Sequence, residues 1–266
     1  MTTSAKYGNI LLTCEANSKR ETSVVIPEHS LGYTLSGSVQ IEMAGKQSIA
    51  GQGSCGLFRR NQLGRFVKQP PADGGIFRSV SISFDQDQLR SFSREYGTVA
   101  GDVYTGEPLR DLSSYQLLDN FFLGFVPWFE PENIMDPPLV DLKVKEALHL
   151  LLHVAPDLKD WLFDFGQPGK IDLEEFMQKN FMHNVPMSRL AQLSGRSLSS
   201  FKTDFEKIFK KSPGRWLLER RLSEAFWLIR EKGRRASDIY LDLGFEDLSH
   251  FSFAFKKQYG IPPSLV

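Results

Sequence analysis

Two stretches of this chain repeat one plan at a nearly constant offset, and that repeat restricts the fold of the carboxyl-terminal part more than any other feature. In the first, LAQLSGRSLSSFKTDFEKIF, Leu190 and Leu193 lead to Gly195. Ser197 then precedes a segment with Phe201 and Phe205 on one edge and Ile208 or Phe209 a turn further on. In the second, SDIYLDLGFEDLSHFSFAFKKQYG, Ile239 and Leu243 lead to Gly244, and Asp247 or Ser249 precedes Phe251 and Phe255. Phe201 and Phe205 thus recur 50 residues later. Glycine accepts the left-handed backbone that ends a helix, and a Ser or Asp oxygen satisfies the free amides that begin one. Aromatics at i and i+4 lie on the same helix face. Each copy therefore predicts a helix, a tight turn and a capped second helix packed against the first, which is a helix-turn-helix.

The intervening SPGRWLLERRLSEAFWLIREKG reads as one long helix holding the two motifs at a fixed separation. Pro213 suits its first turn, Trp216, Leu217, Leu222, Ala225, Phe226 and Ile229 supply apolar positions, and Gly233 stops it. If packing consumes Phe251 and Phe255, the opposite face of that helix carries Leu248, Ser249, His250, Ser252 and Phe253. In the first copy the free face carries Ser199, Ser200, Lys202, Thr203 and Glu206. Polar side chains at the start of such a second helix can reach base edges in a DNA major groove, while backbone amides and flanking Lys or Arg hold phosphates. The charge balance agrees. Residues 171–266 carry 16 Lys+Arg against 12 Asp+Glu, net +4, and residues 1–170 carry 16 against 20, net −4. One such copy would suit a plain helical bundle with solvated faces; two copies at matched offset with a basic excess do not. Taken singly, Arg220, Arg221, Arg234, Arg235, Lys256 and Lys257 read as solvated charges.

The amino-terminal part has a different period. Within residues 22–84, SVQIEMAG and SVSISF alternate apolar and polar residues, as half-buried strands do. Turn clusters at residues 36–37, 44–45, 51–53 and 70–75 separate them at the spacing of an antiparallel sandwich or barrel. After Asp85 the period lengthens: a short helix is expected over residues 85–97, with helical spacing again over 109–125 and 139–155. The last of these is the candidate dimerising helix, through Leu142, Ala147, Leu150 and Leu151, unless the same residues pack within the domain. DFGQPGK, residues 164–170, reads as a linker and divides the chain into domains 1–165 and 166–266.

Little else carries chemistry. Cys14 and Cys55 are too few for a disulfide framework or a zinc site and read as small buried hydrophobes in a reducing compartment. His29 is the one histidine of the sandwich region; beside it Glu28 offers a polar contact but no metal cluster. No nucleotide-binding glycine loop is present, and Gly51, Gly53 and Gly56 read as turn glycines. Arg59 and Arg60 suit either an anionic pocket or a solvated edge. No catalytic residue, cofactor or metal is expected. The apolar run at residues 10–12 is shorter than a secretory h-region, and the run at 121–129 is broken by Pro127 at about half of what a bilayer span needs. A cytoplasmic protein with no membrane partner is expected.

LAQLSGRSLSSFKTDFEKIFKKSPGRWLLERRLSEA with ASDIYLDLGFEDLSHFSFAFKKQYGIPPS resembles the AraC/XylS family of bacterial transcription regulators over about 90 residues. The likeness includes the Gly-Phe turn, the Phe-Lys-Lys run, the Pro pair and Arg221-Leu222. It implies an α+β chain: an amino-terminal cupin-like antiparallel β-sandwich that senses a signal, dimerisation helices, and two helix-turn-helix units joined by a long helix. It also implies double-stranded promoter DNA as partner, read on successive major-groove faces ~34 Å apart, and activation through RNA polymerase. The effector is a small molecule or a regulatory protein, and a homodimer is expected. By position, the family's base-contacting sites fall on Ser199, Lys202 and Thr203 and on Ser249, His250 and Phe253, with Ser200 and Lys256 beside them. Phe253 stands where many members carry arginine, so a guanine contact does not carry over; its ring either touches a thymine methyl or packs, and His250 either donates to a phosphate or base or steadies the turn. LSGSVQIEMAGKQ, GLFRRNQ and LKVKEALHLLL faintly resemble the branch containing type III secretion activators, which answer to an anti-activator protein. The rivals are a cupin-type enzyme with an accessory helical domain and a non-specific architectural DNA-binding protein.

Overall fold

The computed structural model describes residues 4–101, 104, 106–166 and 170–266. The chain forms two compact units, Met1–Gly166 and Gln167–Val266. Residues 167–169 of the expected linker lie outside the described residues.

The first unit contains β1 (Ala5–Tyr7), β2 (Ile10–Glu15), β3 (Lys19–Ile26), β4 (His29–Ser36), β5 (Ser38–Met43), β6 (Lys46–Ala50), β7 (Cys55–Phe58), β8 (Gln62–Gln69), β9 (Phe77–Phe84) and β10 (Leu109–Asp111). They form two antiparallel sheets. One has the order β1-β2-β9-β4-β7-β10 and the other β3-β8-β5-β6. Helices α1 (Gln86–Tyr96), α2 (Gln116–Leu123), α3 (Pro137–Val154) and α4 (Lys159–Leu162) follow.

Period-two alternation explains how the larger sheet serves two masters. On one face Leu31, Tyr33, Leu57, Val80, Ile82 and Phe84 are buried in a core shared with Leu89 and Phe92 of α1, Leu118 and Phe122 of α2, and Val144, Leu148 and Leu151 of α3. Most alternate residues on the same strands are small or hydroxylated, Gly32, Thr34, Gly56, Ser79 and Ser81, with Phe58 and Phe77 as the large exceptions. The small ones cannot fill the space toward the second sheet, which presents Val39, Ile41, Met43 and Phe66. A cavity of about 450 Å³ results, lined by both sets.

Several expectations are corrected here. Strands begin at Ala5, well before residue 22, and β2 is interior to its sheet. Residues 109–111, read as helical, form β10, which pairs with β7 from Leu109↔Phe58 to Asp111↔Gly56; an open sheet edge outcompetes the local spacing. The expected helix over 139–155 is α3, but Ala147 and Leu151 are fully buried in the unit's own core and Leu150 packs against it. Of the four proposed dimer contacts only Leu142 is exposed. Cys14 and Cys55 are buried free thiols, and burial pushes Cys55 up to about 12.

His29 is buried, but its partner is not Glu28. Its Nδ1 accepts from the Trp161 indole N–H at 3.0 Å and from the Arg60 backbone N–H at 3.4 Å. Arg60 takes neither of the roles expected for it: its guanidinium donates to the carbonyls of Asp164 and Gly166, both at 3.0 Å, tying down the end of the unit.

The second unit is all helical: α5 (Leu173–Asn180), α6 (Met187–Leu193), α7 (Leu198–Phe209), α8 (Pro213–Lys232), α9 (Ala236–Ile239) and α10 (Leu248–Tyr259). The long helix α8 packs against α7, α9 and α10, which gives the two motifs a shared spine.

Candidate nucleic-acid interface

Both turns use the same backbone device. After α6, the Gly195 N–H donates to the Gln192 carbonyl and the Arg196 N–H to the Ala191 carbonyl. After α9, the Gly244 N–H donates to Leu241 and the Phe245 N–H to Tyr240. This is the Schellman pattern, and it requires the left-handed φ of +71° at Gly195 and +77° at Gly244. Gly195 and Gly244 lie 49 residues apart while Phe201 and Phe251 lie 50 apart, so the second turn holds one residue more, between Gly244 and its cap.

The second helices are capped alike. Ser197 Oγ accepts from the Ser200 N–H at 3.2 Å, and Asp247 Oδ1 accepts from the His250 N–H at 2.6 Å, which settles Asp247 over Ser249 as the cap. Phe201, Phe205, Phe251 and Phe255 have no exposed surface. Beyond Phe205 it is Phe209 that turns inward, its ring 4.6 Å from that of Trp216 on α8, while Ile208 is exposed. Phe255 packs on Phe226 of α8 at 6.2 Å with nearly parallel rings. Burying each ring is worth about 1.5–3 kcal/mol.

With those faces consumed, the residues singled out for DNA fall on the outside. Ser199, Lys202, Thr203, Ser249, His250, Phe253 and Lys256 are exposed, and Ser200 is half-buried. Ser199 shares a hydroxyl contact with Ser197 at 3.1 Å. The His250 ring lies 5.9 Å from that of Phe245, so it braces the turn as well as facing outward. Phe253 is 70% exposed, which excludes packing inside its own unit.

Arg221 was misread as a solvated charge. Its guanidinium donates to three carbonyls, Phe181 at 2.7 Å, His183 at 2.9 Å and Gly244 at 3.0 Å, and so fastens the second turn and the segment before α6 to α8. Sequence spacing held a signal for this: Leu217, Arg221 and Ala225 recur every four residues along the buried stripe of α8. Arg196 does the same for the first turn, donating to Asp204 and to the carbonyls of Ser194 and Ile171. That guanidinium hydrogen bond holds the Asp204 carboxyl below its usual range. Arg220 lies over the Phe181 ring at 4.2 Å and pairs with Glu224. Arg234, Arg235, Lys256 and Lys257 are exposed, as read.

Residues 190–266 match a helix-turn-helix domain family, and residues 29–160 match the family described as the ExsA N-terminal regulatory domain. The thermoregulatory protein LcrF of Yersinia pestis is 29% identical over 245 residues, covering 90% of each chain. The HTH-type transcriptional regulator ExsA of Pseudomonas aeruginosa is 28% identical over 193 residues, 70% of this chain and 69% of that one. This chain belongs to the AraC/XylS family of transcription regulators. Among solved structures, apo ToxT from Vibrio cholerae aligns over 97% of each chain with a TM-score of 0.46 and 13% identity. Membership in the AraC/XylS family makes the chain a sequence-specific DNA-binding transcription regulator. Among the described residues no group of three or more His, Cys, Asp or Glu is placed to hold a metal ion, and no helix is long and apolar enough to cross a membrane.

Proposed function

We propose that this regulator activates transcription by laying α7 and α10 in the major groove of one promoter site, with Ser199, Ser200, Lys202 and Thr203 reading or positioning the first half and Ser249, His250, Phe253 and Lys256 the second. The observation that carries this is the duplicated build: two glycine turns closed by the same hydrogen-bond pattern, two side-chain caps and two buried aromatic pairs leave the same face of each second helix exposed. Activation further requires a contact with RNA polymerase, and two copies on adjoining sites fit the dimer expected for such a chain.

Control is assigned to the first unit. The cavity between its sheets favours a small molecule over a surface-bound protein, because the small and hydroxylated residues of β4, β7 and β9 leave room that a sandwich core would ordinarily fill. Ser79→Leu occupies part of that space. An altered response of promoter output to growth conditions, with DNA affinity unchanged, supports the cavity; an unaltered response moves control to the surface.

Selection of bound duplexes from a random pool by the full chain tests the DNA reading. A consensus spanning about two helical turns, ~20 bp, is expected. Affinity that varies with salt but hardly with sequence would make the protein architectural instead.

A further inference from the structure

The face of α10 around Phe253 has an unusual composition. Phe253 is the sixth residue of the helix, four after Ser249 and three after His250, so these side chains share a face. Lys256 and Lys257 continue that face one turn on, at i+3 and i+4, and both are exposed. A large apolar ring therefore stands in water, 70% exposed, with hydroxyl, imidazole and ammonium groups around it. A surface built to bind another protein would surround such an anchor with further apolar residues. Leu248, the other exposed apolar residue of α10, is five positions back and so outside the i−3 and i−4 neighbours of Phe253, and cations flanking one apolar ring complement a groove edged by phosphates.

The major groove offers one apolar feature at the base edges, the 5-methyl group of thymine. A phenyl ring has no donor for guanine O6 or N7 and no acceptor for the cytosine amino group. We propose that Phe253 is a specificity-determining residue of the second unit and reads a thymine by packing its ring against that methyl group. The assignment rests on the docking of α10 in the major groove proposed above.

The test removes the methyl and nothing else. In the duplex selected by the full-length protein, each thymine under the second half is replaced in turn by deoxyuridine, which pairs identically. At one position the affinity should fall about fourfold, the worth of one buried methyl group. Phe253→Ala should bind thymine and uracil versions of that duplex alike, and it should melt as the wild type does because the ring is exposed. Phe253→Arg should move the selected base at that position toward guanine. Wild-type binding with a consensus but no thymine-to-uracil loss anywhere overturns the role of Phe253 and leaves the regulator reading intact. So does a Phe253→Ala protein that still discriminates, or one that binds DNA normally but loses promoter output, which would place the ring on a protein. Binding of every duplex alike overturns both this assignment and the reading it rests on.

Discussion

Gly244 and Arg221 show how much one residue can decide in the second motif. A Cβ on Gly244 would stand 2.5 Å from the Met182 carbonyl oxygen and 2.9 Å from Arg221 Cζ, at a φ of +77° that side chains resist. Gly244→Ala should therefore cost more than the ~1–2 kcal/mol of left-handed backbone alone, read as a lower urea midpoint in far-UV circular dichroism. Arg221→Lys should cost about 1.5–3 kcal/mol, since an ammonium on a single point cannot replace a planar fork that serves three carbonyls. A lysine variant with an unshifted midpoint would show that the clamp contributes nothing. In the first unit His29 makes a pH prediction. Burial, aided by Arg60 and Arg59, lowers its pKa from 6.5 to about 3. The unfolded chain then binds the proton first, so stability falls as pH drops below 6.5 and keeps falling to about 3, by up to ~1.4 kcal/mol per pH unit. His29→Gln should flatten that slope in an acid titration of the melting temperature.

At the scale of elements, caps and aromatic anchors make separable contributions. Asp247→Ala removes the acceptor for the His250 N–H and should destabilise α10 by about 1 kcal/mol. Phe251→Ala empties a site with no solvent exposure and should cost about 3–5 kcal/mol. If thermal melts of the full chain rank them the other way, the inward and outward faces of α10 are misassigned. These elements were legible in the sequence because their causes are local: glycine at a left-handed position, a capping oxygen, rings four residues apart. The alternation of β5 and β9 was legible for the same reason. What stayed hidden depended on partners distant along the chain. Leu109–Asp111 is a strand only because β7 offers an edge, and β2 is interior only because β9 comes back to it. Arg221 looked like any surface charge until three carbonyls from separate segments converged on it. The outward place of Phe253 was legible from its spacing between Phe251 and Phe255, and the fold leaves it 70% exposed.

Over the whole molecule, net charge is zero and only its distribution favours DNA, with +4 on residues 171–266 against −4 on residues 1–170. Phosphate contacts act alike on every sequence, so this excess cannot by itself separate promoter from bulk DNA. Base contacts must supply much of the difference between promoter and bulk DNA, which makes the exposed face of α7 a sensitive place to perturb. Lys202 is exposed at the fifth position of that helix, and no hydrogen bond or ion pair among the described residues ties it down. Lys202→Ala should weaken binding to the selected duplex by about 1–3 kcal/mol while affinity for random duplex barely changes. Equal losses on both, with the salt slope reduced by about one, would reassign Lys202 to a phosphate. Competition binding at several salt concentrations separates the two outcomes, because phosphate contacts release counterions on any sequence and base contacts act only on one.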